Sequence, residues 1–305
     1  MDIVINLNKP KGITSQGAVT AIKRILKIKK AGHAGTLDPS AAGVLLICAN
    51  KATRLASYFS SLDKEYVAMM KLGETTDTQD SCGSVIEKTD KIEVAEGEIK
   101  AAVKSFEGRI LQKPPMFSAL KHRGKPLYKF ARKGIDIPRQ LREVFIYKIE
   151  LLDINLPFIT FRALCSKGTY IRTLCDDIGK KLGTGAHLFE LERIATGNFK
   201  IKDAVTLEDL NLVQNQIQEL PQKKIRGIYP MDTALSWMPE IKVKTEVVKN
   251  VKNGNPLKTS DCSDFPSLLK AGDSVKIKSP DGEFLAIGNL VENHRYTFRI
   301  DVVFA

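Results

Sequence analysis

Between Phe158 and Cys165 the residues Ile159, Phe161, Ala163 and Cys165 alternate with Thr160, Arg162 and Leu164, a period of two that predicts a half-buried strand. Arg142 to Asn155 reads as the strand before it. Ala18, Val19, Ile22 and Ile25 or Leu26 recur at helical spacing, so a helix capped by Thr14 or Ser15 is predicted to run to about Lys29, with Gly32 ending it. Ile3 to Leu7 and Val44 to Cys48 are short apolar runs and read as strands, with a helix from Ala52 to Ser60 after the second. The stretch between them, Gly32 to Pro39, is dense in Gly, Thr, Asp and Pro and reads as a loop. Glu65 to Leu72 and Gly83 to Glu87 are expected as strands around the polar turn Thr75 to Cys82, Val94 to Ser105 as a helix, and Tyr170 to Leu182 as a helix with Ile171, Leu174, Ile178 and Leu182 on one face.

From Glu208 to Glu240 the chain turns polar and is broken by Pro221, Pro230 and Pro239. That marks a connection, and places a boundary near Met238. Beyond it Ser274 to Lys278, Phe284 to Val291 and Thr297 to Val303, with Asp281-Gly282 as a turn, read as a compact β-rich unit. The expected organisation is therefore an α+β domain over residues 1–238 and a small β domain over 239–305.

Charge narrows the partners: Lys and Arg outnumber Asp and Glu 47 to 35, a formal net charge of +12, which draws in polyanions and also keeps a protein soluble. Five scattered cysteines without a C-x-x-C pair fit neither a disulfide framework nor a zinc site, and read as reduced thiols. His33, His122, His187 and His294 are too far apart for H-x-x-x-H ligation, and no phosphate-cradling glycine motif follows a strand, so neither a metal nor an organic cofactor is expected. With no basic signal start and no apolar run approaching the ~20 residues that span a bilayer, a cytoplasmic location is expected, away from any membrane. In Gln112 to Arg142, Lys121, Arg123, Lys125, Lys129, Arg132 and Lys133 are interleaved with Phe117, Tyr128 and Phe130. That mixture suits phosphate attraction combined with base stacking, and equally suits a peripheral amphipathic hairpin.

The most informative segment is Gly32-His33-Ala34-Gly35-Thr36-Leu37-Asp38-Pro39-Ser40-Ala41-Ala42-Gly43-Val44-Leu45, small residues around one Asp. With Asn8-Lys9-Pro10, Lys64-Glu65-Tyr66, Thr76-Asp77-Thr78 and Asp80, Lys167-Gly168-Thr169-Tyr170-Ile171-Arg172, and Gly185-Ala186-His187-Leu188 through Leu191, it resembles the motif set of the TruB family of pseudouridine synthases over almost the whole chain.

The resemblance implies an enzyme of the pseudouridine synthase fold, with a mixed, largely antiparallel sheet, that isomerises uridine at position 55 in the T-loop of tRNA without a cofactor. Asp38 would be the catalytic carboxylate, and attack at C1′, addition at C6 and removal of the 2′ proton all remain open to it. Burial opposes an ionised Asp38, so it needs a cation within a few ångströms, and Arg172 is the matching residue. The target base must leave the stack. Tyr66 is expected to stack on it and to take part in removing the C5 proton, Tyr170 to form a second wall that orients Arg172, and Leu191 an apolar one. His33 is expected to contact RNA beside the flipped base. Lys9 and Pro10 are assigned to support of the Asp38 loop from below, and Asp77 and Asp80 to bracing the pocket.

Two departures stand out. Asn50 replaces a Gly, tolerable because Asn accepts left-handed backbone, and Phe117 replaces a Tyr. Residues 109–148 resemble an RNA-gripping insertion of stand-alone enzymes, which argues against dependence on a guide RNA, and residues 239–305 resemble a PUA RNA-binding domain whose Lys242, Lys244, Lys249, Lys252 and Lys258 would face the acceptor stem. The expected partner is the T-arm and elbow of tRNA, bound by a monomer. A tRNA-folding chaperone that grips the same elbow without turnover is the alternative, and an enzyme of the same chemistry acting on another RNA is a third.

Overall fold

A computed structural model describes residues 1–89, 91–217, 224–264, 269–291 and 297–304. His294 and Pro221 lie outside the described residues. The larger part is built on a ten-stranded sheet whose main path runs Ile228–Pro230, Ile3–Lys9, Ala42–Ala49, Ala186–Thr196, Lys64–Leu72, Phe158–Cys165, Arg142–Asn155, Gly108–Gln112. Every pairing along it is antiparallel except one: Ala186–Thr196 runs parallel to Ala42–Ala49, with Glu192 opposite Ala42 and Arg193 opposite Gly43. The mixed, largely antiparallel sheet that the family resemblance implies is present.

The parallel join is close because Gly43 has no side chain. A Cβ there would lie 2.2 Å from the Arg193 carbonyl oxygen, and the backbone stands at φ +106°. Helices Ser15–Ile25 and Ile171–Lys181 cover one face of the sheet, burying Ala18, Val19 and Ile22 from the first and Ile171, Leu174 and Ile178 from the second against Ile47, Ala68 and Phe161.

The first helix is capped by Thr14, whose hydroxyl accepts from the Gly17 N–H at 2.8 Å. It stops at Ile25, earlier than expected, because Lys27 adopts the left-handed conformation at φ +53°. Gly32 is not the terminator. Instead, Ala31–Ala34 is a strand on the C-terminal half of Ala42–Ala49, with His33 opposite Ile47, so the first three residues of the expected loop are laddered. The expected helix Ala52–Ser60 is a 3-10 turn, Asn50–Leu55, leading into a short α-helix, Ala56–Ser60, and Asn50 does adopt left-handed backbone at φ +51°.

A second, five-stranded sheet is ordered Cys262–Asp264, Glu240–Val243, Ser274–Lys278, Phe284–Leu290, Phe298–Val303, around Val243, Val275, Ile277, Leu285 and Phe298. Its outer residues Ile287 and Phe304 pack with Leu46, Phe59 and Met238 in a cluster shared with the large sheet. The Lys51 ammonium donates to the Phe304 carbonyl at 2.6 Å, and the Tyr58 hydroxyl bonds Asp301. No helix among the described residues is long and apolar enough to cross a membrane.

Candidate active site

Asp38 sits on the short loop between Ala31–Ala34 and Ala42–Ala49, and three sets of bonds fix that loop. The Ser15 hydroxyl bonds both backbone groups of Leu37 at 2.9 Å, and the Gly12 N–H donates to the Pro39 carbonyl at 2.8 Å. From within, the guanidinium of Arg193 donates to the carbonyls of Gly35 at 2.9 Å, Thr36 at 3.5 Å and Val44 at 2.6 Å. Arg193 is 1% exposed, the largest fully buried side chain described. Backbone carbonyls thus satisfy a buried cation.

The Asp38 carboxylate meets Arg172, whose Nε lies 3.0 Å from Oδ2. The rest of that guanidinium is held elsewhere: Nη1 donates to the Thr78 carbonyl at 3.1 Å and to Asp80 Oδ2 at 3.3 Å, and Nη2 to the Phe117 carbonyl at 2.8 Å. Phe117 therefore contributes its backbone, which the exchange of Tyr for Phe leaves intact. The contacts that orient Arg172 come from these groups, whereas Tyr170, expected to orient it, caps the helix and is itself anchored by Gln112. Gln112 Oε1 accepts the Tyr170 N–H at 3.0 Å and its Nε2 donates to the Tyr170 carbonyl at 3.2 Å.

Burial raises the Asp38 pKa, Arg172 pulls it down, Asp80 pushes it up, and Lys9 and Arg193 pull it down; the net shift is upward. Lys9 lies fully buried beneath the loop, its ammonium donating to the Pro10 carbonyl at 2.8 Å and the Ile13 carbonyl at 2.9 Å, and burial lowers its pKa to about 8. Asp80 Oδ1 accepts from the Thr78 hydroxyl at 2.6 Å and the Cys82 N–H at 3.0 Å, so it both caps its turn and braces Arg172.

Asp38 and Arg172 open into a cavity of about 330 Å³ whose walls include Tyr66, Tyr170 and Leu191. That size falls in the range of small-ligand sites. The Tyr66 phenol is pushed up, by burial first, and stays a neutral hydroxyl. Five residues singled out from sequence thus converge on one cavity, with Asp80 behind Arg172 and Lys9 near enough to Asp38 to pull its pKa down, while Pro10 is exposed and offers its carbonyl to the Lys9 ammonium. His33 is not among the lining residues. It lies on a strand rather than a loop, half-buried, with Nδ1 unpartnered among the described residues, and burial lowers its pKa.

Three residues of this site carried no role in the sequence reading. Arg193 and Lys64 line the cavity, and Gln112 anchors its rim. The Lys64 ammonium donates to the Ser60 and Leu62 carbonyls, and burial lowers its pKa to about 8. Among the described residues no cluster of three His, Cys, Asp or Glu side chains could hold a metal ion.

Residues 23–171 match the model of the TruB family pseudouridylate synthase N-terminal domain, and residues 172–236 that of the tRNA pseudouridylate synthase B C-terminal domain. The chain is 44% identical over 288 residues to a tRNA pseudouridine synthase B of Clostridium tetani, covering 94% of this chain and 95% of the relative. A protein of the same name from Vibrio atlanticus is 40% identical, with 99% and 94% covered. In a solved Cbf5-Nop10-Gar1 complex, one chain superposes with a TM-score of 0.79 at 33% identity, covering 99% of this chain and 85% of that one.

Proposed function

From the premise that this chain belongs to the TruB family of tRNA pseudouridine synthases, we propose that it isomerises the uridine at position 55 in the T-loop of tRNA, with Asp38 as the catalytic carboxylate. The observation that carries this reading is the 3.0 Å pair of Asp38 with Arg172 at the wall of an aromatic-lined cavity. Isomerisation breaks C1′–N1, rotates the base, forms C1′–C5, moves a proton off C5 and returns one to N1. One ionised carboxylate beside the sugar serves each of the three routes open to it, and Arg172 favours the ionised form against burial. Tyr66 would stack on the extruded uracil and, as a neutral hydroxyl, could only relay the C5 proton, taking it up as its own proton passes on toward N1, with Tyr170 and Leu191 as the other walls. Lys9, Pro10 and Asp80 would hold the loop and Arg172 in place, and His33 would touch RNA outside the cavity.

Residues 239–305 would serve as a PUA-type RNA-binding domain, with Lys242, Lys244, Lys249, Lys252 and Lys258 toward the acceptor stem, and residues 109–148 as an RNA-gripping insertion over the catalytic domain, 1–238. The protein would act as a cytoplasmic monomer without a guide RNA. Unmodified tRNA incubated with the purified protein and mapped by carbodiimide-dependent primer arrest should give one new stop, at position 55. Product at another position would contradict the T-loop assignment, and binding without product would favour the folding chaperone.

A further inference from the structure

The turn that supplies Asp80 is fastened to the same helix that carries Arg172. Gln79 stands at φ +61°, a conformation that costs a residue with a Cβ about 1 kcal/mol or more. Its side chain reaches across to helix Ile171–Lys181. Gln79 Nε2 donates to Asp176 Oδ2 at 2.8 Å, and Oε1 accepts from the Thr173 hydroxyl at 3.0 Å. Thr173 and Asp176 are three residues apart and share a helix face. The Asp176 carboxylate is buried, and its Oδ2 also takes the Lys180 ammonium at 2.6 Å. The backbone of Gln79 is used too: its N–H donates to the Thr76 carbonyl at 3.1 Å and its carbonyl accepts from the Leu188 N–H at 3.0 Å.

On either side of Gln79 stand the two acceptors of Arg172 Nη1, the Thr78 carbonyl and the Asp80 carboxylate. The bonds close a ring: helix, Arg172, Thr78 and Asp80, Gln79, then Thr173 and Asp176 back on the helix. The geometry points to Gln79, Thr173 and Asp176 as positioning residues that set how Arg172 presents Nε to Asp38. None of the three lines the cavity. Arg is long and rotamer-rich, and a guanidinium between two carboxylates has alternative pairings, so fixing the turn against the helix selects one of them. This inference rests on the reading of Asp38 and Arg172 as the catalytic pair.

Gln79→Gly removes the side chain while relieving the left-handed backbone, and Asp176→Ala removes the acceptor. Asp176→Asn keeps an oxygen that can accept from Gln79. With unmodified tRNA, Gln79→Gly and Asp176→Ala should each lower kcat about tenfold or more while KM stays within about twofold. Their acidic limb should move to higher pH, because Arg172 is the foremost of the groups facing Asp38 that favour its ionised form, ahead of Lys9 and Arg193 and against Asp80. Asp176→Asn should stay near wild type. Wild-type kcat and pH profile in both deletion variants would overturn the inference, as would a loss of kcat that tracks Tm with the limb unmoved. Asp38→Asn run alongside separates the two readings: normal turnover by that variant would sink the catalytic pair itself.

Discussion

Arg172 spreads its donors over four acceptors, and Asp38 receives one of them. Burial outweighs that single pair, leaving the folded pKa of Asp38 above the ordinary 3.8. A carboxyl whose folded pKa is raised favours the fold below its unfolded pKa, and that contribution is lost as pH rises through the folded value. Two outcomes follow. The acidic limb of kcat/KM should lie above the ordinary carboxylate range, as a pH–rate profile would read. Asp38→Asn should melt higher than wild type at neutral pH, the difference closing as pH falls toward 3.8, measured by thermal unfolding across pH. At the same scale, Arg193→Met would strip donors from the carbonyls of Gly35, Thr36 and Val44; urea unfolding should show a loss of about 2–4 kcal/mol. Asp38, Arg172, Tyr66, Tyr170 and Leu191 were legible in the sequence because each stands in a motif. Arg193 was not, because a buried Arg satisfied by distant carbonyls leaves no local pattern.

The strands Arg142–Asn155 and Phe158–Cys165 were readable because alternation and composition agree with their ladders. Ala186–Thr196, at the centre of the sheet, went unread as a strand. Its register against Lys64–Leu72 shifts between Leu188 and Glu190 and again between Arg193 and Ala195, and each irregularity breaks the period of two. The strand Ala31–Ala34 was hidden for another reason: its Ala-Gly-His-Ala sequence has no strand character of its own, and the side of Ala42–Ala49 beyond Gly43, where Ala186–Thr196 no longer pairs, recruits it. Gly43 shows what the parallel join requires. Gly43→Ala should cost about 3 kcal/mol or more, because a Cβ would meet the Arg193 backbone at φ +106° and force apart the two strands that carry Asp38's loop and Leu191. Soluble yield and unfolding midpoint would report it.

The whole molecule carries +12, and tRNA binding should release condensed counterions. Affinity should fall about a hundredfold or more between 50 and 200 mM salt, as filter binding would show; a flat response would remove the basic surface as the RNA footprint. The C-terminal sheet shares Ile287 and Phe304 with the core around Leu46 and Phe59, so the two parts hold each other by an apolar cluster. Composition marks a boundary near Met238 but carries no sign of this shared burial, because burial across a boundary has no periodicity along the chain. Whether Asp38 is the carboxylate of uridine isomerisation is decided by release of tritium from C5-labelled uridine in unmodified tRNA, with Asp38→Asn beside the wild type. The wild type should release one equivalent per tRNA and a variant that still binds should release none; equal release by the two proteins would remove Asp38 from that role.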